Sequence, residues 1–412
     1  MTPWRLLAVA LGMAALPPAQ ADTPPGGLAV VCIRTPGGEP VGSRQWRQGA
    51  TVSVVRPDGT TDHMGAAAVR AFGNSSFAKP KKPLALRFDT AASLLGLAAN
   101  ERWFLVSNFM DHSLVRNALA LTAARKTSLA WTPGWRLVNV VDNGRHVGVY
   151  TMCEEIRVGP GRVDTDPGTG FLVEMDSYPD DGARFETPRR RLPVNVRHPA
   201  RPSSARLDSI RAVFARAEAA LYDHGGQTSL AQACDSLIDL ASFADYLIVY
   251  ELCQNAEPNG PRSCYMHLGR DGRLRAGPVW DFDLAFADVG LDGGGDIRPS
   301  RLSLPGVRPL TVDSLYNGGA LWYGRMLADA GFREMLAERW RELRPSFASL
   351  ADSLDAWRPV VEPSALADQR MWGDLDPARF DNTGGFAESF AALRSTLLRR
   401  IAALDRLFGR RE

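Results

Sequence analysis

The hydrophobic period of this chain changes once, near residues 197–205, and that change limits the folds open to it. Ahead of it, apolar residues come in short runs separated by turn residues. Segments 28–34, 51–55, 67–72, 84–88, 103–106, 170–176 and 192–196 read as strands. The clearest hairpin joins 136–141 to 146–152 through Asp142-Asn-Gly144, because Asn-Gly suits the turn whose twist matches its strands. One helix is predicted from His112 to about Lys126, capped by Asp111. The polar stretch 177–191 is predicted as a flexible loop. After Pro199-Ala-Arg-Pro202 the period is helical: Leu207, Ile210, Phe214, Ala217 and Leu221 form one face, stopped at Gly225-Gly226. Further helices are expected over 239–252, 321–330, 332–343 and 386–408. Strands followed by helices predict an α+β molecule of two lobes, β-rich over 22–200 and mainly helical over 201–412.

Residues 1–21 have a different pattern. A short basic region (Met1–Arg5), an apolar run over 6–16 and Ala19-Gln-Ala21 read as a secretory signal peptide. The expectation is an exported protein, periplasmic or at the cell surface, with no transmembrane segment after cleavage. Five cysteines lie scattered without C-x-x-C spacing, which argues against a metal cluster. Cys253 and Cys264 read equally well as a bridge or as two buried thiols. The net charge of +2 and the lack of basic runs interleaved with aromatics give no sign of a nucleic-acid partner. No H-e-x-x-H pair, Walker loop or G-x-S-x-G elbow is present.

One stretch of the helical half is dense in chemistry: Asn255-Ala-Glu257, Ser263-Cys-Tyr-Met-His267 and Trp280-Asp-Phe-Asp283. It reads as a helix end stopped by Pro258, a loop, strands 264–268 and 274–279, then two acids. Phosphoryl transfer uses a group that orients the nucleophile and acids that hold magnesium. Asp281 and Asp283 project to one side of an extended backbone. The same tetrapeptide also reads as a strand end with solvent-facing acids, and Asn255 as a helix cap with Glu257 exposed. Gly290 and Gly293-Gly-Gly295 make 284–304 a loop beside the acids. Among 48 basic residues only four are lysines, and Lys79, Lys81 and Lys82 lie within four positions. A compact ammonium meets phosphate oxygens as a point charge.

Together these blocks resemble the spore coat protein H (CotH) kinase family. Its pattern is close to N-x-D, four residues, N/S-x-Y, then G-K-L, then G-P-x-W-D-F/Y-D-x-S/A-F-G. The likeness runs from about Ala67 to the C-terminal region. It implies a two-lobed atypical protein-kinase-like fold, ATP and Mg²⁺ as cofactors, and transfer of phosphate to Ser or Thr of a protein substrate. Carried onto this sequence, Glu257, Asn255 and Asp281 are the catalytic candidates, and Asp281 and Asp283 the metal ligands. On the nucleotide side stand Lys82, Lys81 and the loop Gly73-Asn74-Ser75 of the block R-G-N-S/T-S/T. Glu154 is the lysine's expected partner, with Glu174 and Asp176 as alternatives. Asn108, Asp111, Arg116 and Asn117 also match, and read as a cap and a buried ion pair. Phe72 replaces the block's arginine, Glu257 the family's Asp, and Ala287 its closing glycine, and one extra residue precedes Ser263. The alternative implied is a catalytically weak or inactive envelope scaffold of the same fold.

Overall fold

A computed structural model describes residues 22–178, 181–223, 228–286, 315–373 and 384–408. The leader 1–21, Gly225-Gly226, Ala287 and most of the glycine-rich stretch 284–304 lie outside the described residues.

The molecule is α+β, with its strands concentrated early and its helices late. Strands β1 (Ala29–Arg34), β2 (Arg47–Val55), β3 (Thr61–Ala71), β4 (Leu84–Ala92), β5 (Asn100–Val106), β6 (Trp135–Asp142) and β7 (Arg145–Glu154) close into a barrel in the order β1-β2-β3-β4-β5-β7-β6. Closure comes from a parallel pairing of β1 with β6, the other pairs being antiparallel. Alternation sends Val31, Val52, Val69, Leu86, Trp103 and Met152 inward. The Asn143-Gly144 turn forms as predicted, both residues at positive φ.

A second, antiparallel sheet has the order β12-β11-β8-β10-β9. It comprises β8 (Leu172–Met175), β9 (Arg184–Glu186), β10 (Pro193–His198), β11 (Cys264–Leu268) and β12 (Leu274–Ala276). Three of its strands precede residue 200 and two follow it. β9 is a short edge strand inside the stretch predicted as loop. β12 ends at Ala276 because Gly277 turns the chain at a φ of +100°.

The helices are α1 (Arg116–Ala124), α2 (Ser204–Tyr222), α3 (Leu230–Cys234), α4 (Leu240–Leu252), α5 (Tyr323–Leu327), α6 (Ala330–Ala348), α7 (Leu350–Trp372) and α8 (Phe386–Phe408). α1 starts four residues later than predicted. Asp111 instead organises the preceding turn, accepting from Ser113 N at 2.9 Å and Arg116 N at 2.8 Å. α7 was not predicted, since Pro359 and Pro363 break its pattern. It docks on the barrel: Ser364 Oγ accepts from Asn139 at 3.0 Å, Asp368 from Val149 N at 2.7 Å, and Trp372 donates to Val147 O at 3.2 Å. Gly148 permits that approach, for a Cβ there would lie 2.2 Å from the Asp368 carboxylate.

No helix among the described residues is long and apolar enough to cross a membrane. All five cysteines are free thiols, so Cys253 and Cys264 remain separate.

Candidate functional site

α4 is buried on nearly every side and sits in the core of the helical part. Asp239 caps its first turn, accepting from Ser242 N at 3.2 Å. Its last turn and the turn that follows deliver Glu251, Gln254 and Asn255 to one place. Glu251, fully buried, accepts from Arg400 of α8 at 2.6 Å and from the Tyr316 and Asn317 amides at 2.8 and 2.6 Å. Asn317 then donates to the Asn255 carbonyl at 2.9 Å. A buried ion pair from the last helix thus fixes the loop after α4.

The segment Trp280–Asp283 is held through its main chain at four successive residues. Tyr250 OH donates to Trp280 O at 3.2 Å, and Asn255 Nδ2 to Asp281 O at 2.9 Å. Asn117 Oδ1 accepts from Phe282 N at 2.9 Å, and Arg116 Nη1 donates to Asp283 O at 3.4 Å. These contacts leave the two carboxylates available while fixing where they stand. Phe282 is buried against Tyr250 at a ring separation of 4.8 Å. The backbone here is not the extended chain the spacing suggested, because Asp281 has a φ of +65°. Gln254, Ser263 and Phe286 around it also have positive φ. Strained backbone of this kind, costing about 1–3 kcal/mol per residue, gathers at functional sites.

The side chains form an acid cluster. Asp281 and Asp283 share a hydrogen bond, which two carboxyls can make only when one of them holds a proton. Burial, then the Asp281 carboxylate, raises Asp283 well above the ordinary range, and Glu257 and Asp111 push the same way. Burial also raises Asp281, against hydrogen bonds from Asp283 and Ser263. Ser263 Oγ lies 3.4 Å from Asp281, and Ser263 N donates to Asp176 at 3.3 Å. Glu257, expected as an exposed or catalytic acid, is buried. Its carboxyl is pushed up to about 8 by burial first and the Asp281 charge second, and Arg262 opposes the rise. The Arg262 Nε stands 2.8 Å from Glu257 Oε2, yet the N–H does not align and Oε2 has no hydrogen-bond partner among the described residues. Glu257, Asp281 and Asp283 are thus all shifted toward the protonated form, and a cation beside them would displace those protons.

Asn255 is used internally: Nδ2 serves Asp281 O and Oδ1 accepts from Glu257 N at 3.0 Å. Its side chain positions the acids, while its main-chain N–H caps the end of α4, donating to Tyr250 O at 3.0 Å.

On the barrel side, Phe72 stacks on Phe104 at 4.4 Å, and Phe104 meets Trp280 at 5.8 Å. This ladder brings Gly73, next to Phe72, and Asp281, next to Trp280, toward the same seam. Gly73 has a φ of +94° and lies under Ser76, so a Cβ would meet the Ser76 hydroxyl at 2.2 Å. Asn74 and Ser75 are exposed.

The pairings expected for the lysines are corrected. Lys81 is buried against Asp368, its Nζ also donating to Val149 O at 2.7 Å. Lys82 donates to Phe77 O at 2.6 Å over the Phe77 ring. Glu154 pairs instead with Arg162 at 2.7 Å and accepts from Gly134 N, while Glu174 accepts from Arg197 at 2.6 Å. A partner on an unpredicted helix was not available to sequence reasoning. Asp111 and Arg116 do form the expected buried ion pair, at 3.4 Å.

The sequence model described as CotH kinase protein matches residues 69–402. This chain belongs to the CotH kinase family. The match spans both the barrel strands and the acid cluster, and membership points to nucleotide and metal use in general terms. No curated protein matches the chain. Among the described residues, no group of three or more His, Cys, Asp or Glu is placed as a ready metal centre. The donor chemistry does fit a hard cation: carboxylate oxygens, one of them unpartnered, holding excess protons. Magnesium takes one or two carboxylates and completes its shell with water and substrate phosphates.

Proposed function

We propose that this CotH family member is an exported kinase of protein-kinase-like organisation that transfers the γ-phosphate of ATP to a Ser or Thr hydroxyl of a protein. The observation that carries this reading is the clamped Trp280–Asp283 main chain, which fixes two proton-holding carboxyls beside Glu257.

Asp281 and Asp283 would hold Mg²⁺. When bound, Mg²⁺ supplies positive charge that neutralises the phosphate oxygens. Glu257 is the acceptor-side group. Held near 8, it is mostly protonated at neutral pH, and cationic charge beside it favours the carboxylate. The carboxylate orients the acceptor hydroxyl and takes its proton as the hydroxyl oxygen bonds to the γ-phosphorus. The bond from that phosphorus to the bridging oxygen breaks, and ADP leaves with the electron pair. Asn255 and Ser263 keep Glu257 and Asp281 in register.

The test is thermal unfolding of residues 22–412 with ATP, with and without Mg²⁺, followed by γ-phosphate transfer to a Ser/Thr peptide library. The expected result is an Mg²⁺-dependent rise in Tm that Asp281→Asn removes, with labelled peptide only from the unaltered chain. A ligand at a hundredfold excess over Kd adds about 2.7 kcal/mol. Absence of any shift would overturn the reading and leave the family's scaffold alternative, which the Glu257 departure favours.

A further inference from the structure

Val69 and Ala71 of β3 point into the barrel, so Arg70 and Phe72 between and after them point outward. The same alternation puts Arg87 of β4 and Arg102 of β5 on that outer face, beside Phe104. Their guanidiniums gather on one indole. Arg70, Arg87 and Arg102 lie over the Trp46 ring at 4.9, 4.9 and 5.9 Å. Arg44 lies at the margin, over Phe77 at 4.3 Å, donating to Gly73 O at 2.7 Å. Glu155, 3.8 Å from Arg102, is the one carboxylate facing them among the described residues. Burial raises its proton affinity against the pull of Arg102, Arg157 and Arg70. Arg70 Nε is buried and has no hydrogen-bond acceptor among the described residues.

Four guanidiniums against one weakened acid are costly to hold together without an anion. Guanidinium planes spread on an indole keep their edges open, which suits forked contacts to phosphate. The patch borders the Gly73 loop and the Phe72–Phe104–Trp280 ladder that leads to Asp281. The two lysines of the region are already engaged, one by Asp368 and one by the Phe77 carbonyl.

We propose that Arg70, Arg87 and Arg102 on Trp46, with Arg44 at their edge, form a polyphosphate-binding patch, and that these arginines rather than Lys81 or Lys82 contact the phosphates of the nucleotide. The nucleotide assignment rests on the kinase reading; the anion patch does not.

The experiment uses sodium tripolyphosphate as the probe, by calorimetric titration of residues 22–412 in EDTA. The unaltered chain binds it, and binding weakens as ionic strength rises from 0.05 to 0.5 M, as expected for partly exposed charges. Arg70→Gln and Arg102→Gln each lose about tenfold or more in affinity, as removal of a charge-assisted contact implies. Arg87→Gln, on the strand between those of Arg70 and Arg102, serves as an independent variant if either fails to fold. Asp281→Asn retains binding. In the transfer assay, Arg70→Gln raises KM for ATP and leaves KM for the peptide unchanged.

No tripolyphosphate binding by the unaltered chain overturns the patch. So does binding that survives Arg70→Gln and Arg102→Gln but falls in Lys82→Gln. A raised KM for the peptide alone overturns the nucleotide assignment in favour of an acidic acceptor. Tripolyphosphate binding without any response to Mg²⁺ and ATP supports the patch and removes the kinase reading.

Discussion

Lys81 on the barrel and Asp368 on α7 form an ion pair buried on both sides, 287 residues apart in the chain. Removing one partner of such a pair strands the other charge, at about 3–5 kcal/mol, whereas replacing both by apolar residues is often near neutral. Lys81→Met and Asp368→Asn should therefore each lower the urea midpoint strongly, and Lys81→Met/Asp368→Leu should recover most of the loss. Gly148→Ala should act in the same direction, because its methyl group would displace the Asp368 carboxylate. Stability unaffected by Lys81→Met would show that the pair does not anchor α7.

The acid cluster gives the chain a pH signature. A carboxyl raised in the folded state contributes stability that is complete below its unfolded pKa and lost as pH rises through its folded pKa. For Glu257 the window runs from about 4.5 to about 8, and Asp281 and Asp283 act in the same sense. Metal-free protein should lose stability across that window, with Glu257 contributing about 1.4 kcal/mol per pH unit. Glu257→Gln should flatten part of the slope. Added Mg²⁺ should stabilise more at pH 8 than at pH 5, and the reverse order would count against a cation site among these acids.

Glu257 and Asn255 should separate in kinetics. Loss of a proton acceptor costs about 10²–10⁴ in rate, so Glu257→Gln should depress kcat while the Mg²⁺-ATP thermal shift persists. Asn255→Ala removes a donor to Asp281 O and should weaken both metal response and kcat. Equal rates for Glu257→Gln and the unaltered chain would exclude Glu257 from the transfer step.

Arg400 lies in α8 and holds Glu251 through both its side chain and its carbonyl. Arg400→Met should cost about 3–5 kcal/mol, since the buried Glu251 charge loses its counterion. Because Glu251 orders Tyr316 and Asn317, and Asn317 grips Asn255, the variant should also raise KM for Mg²⁺-ATP. A purely global effect would leave KM unchanged in the fraction that remains folded.

Much of this architecture is legible in local pattern. β11 and α8 appear where strand and helix periods place them, and the Asn143-Gly144 hairpin follows from turn chemistry. Barrel closure is not legible, since the parallel contact of β1 with β6 is made by residues more than a hundred positions apart. α7 is hidden by Pro359 and Pro363, and with it the partner of Lys81. The Trp280–Asp283 motif announces acids, but their meeting depends on a left-handed turn at Asp281 and on anchors from α1 and α4. Arg70 and Trp46 carry no motif; outward alternation on β3 is the signal that points to them.

The five-stranded sheet takes β8, β9 and β10 from before residue 200 and β11 and β12 from after it. Cutting the chain there leaves β8 with one flank bare, and an unpaired apolar strand edge invites association with other chains. Neither fragment, 22–200 nor 201–412, should be recoverable as a soluble monomer, and mixing the two should restore what each lacks. The barrel and the acid cluster are in this sense made by one act of folding.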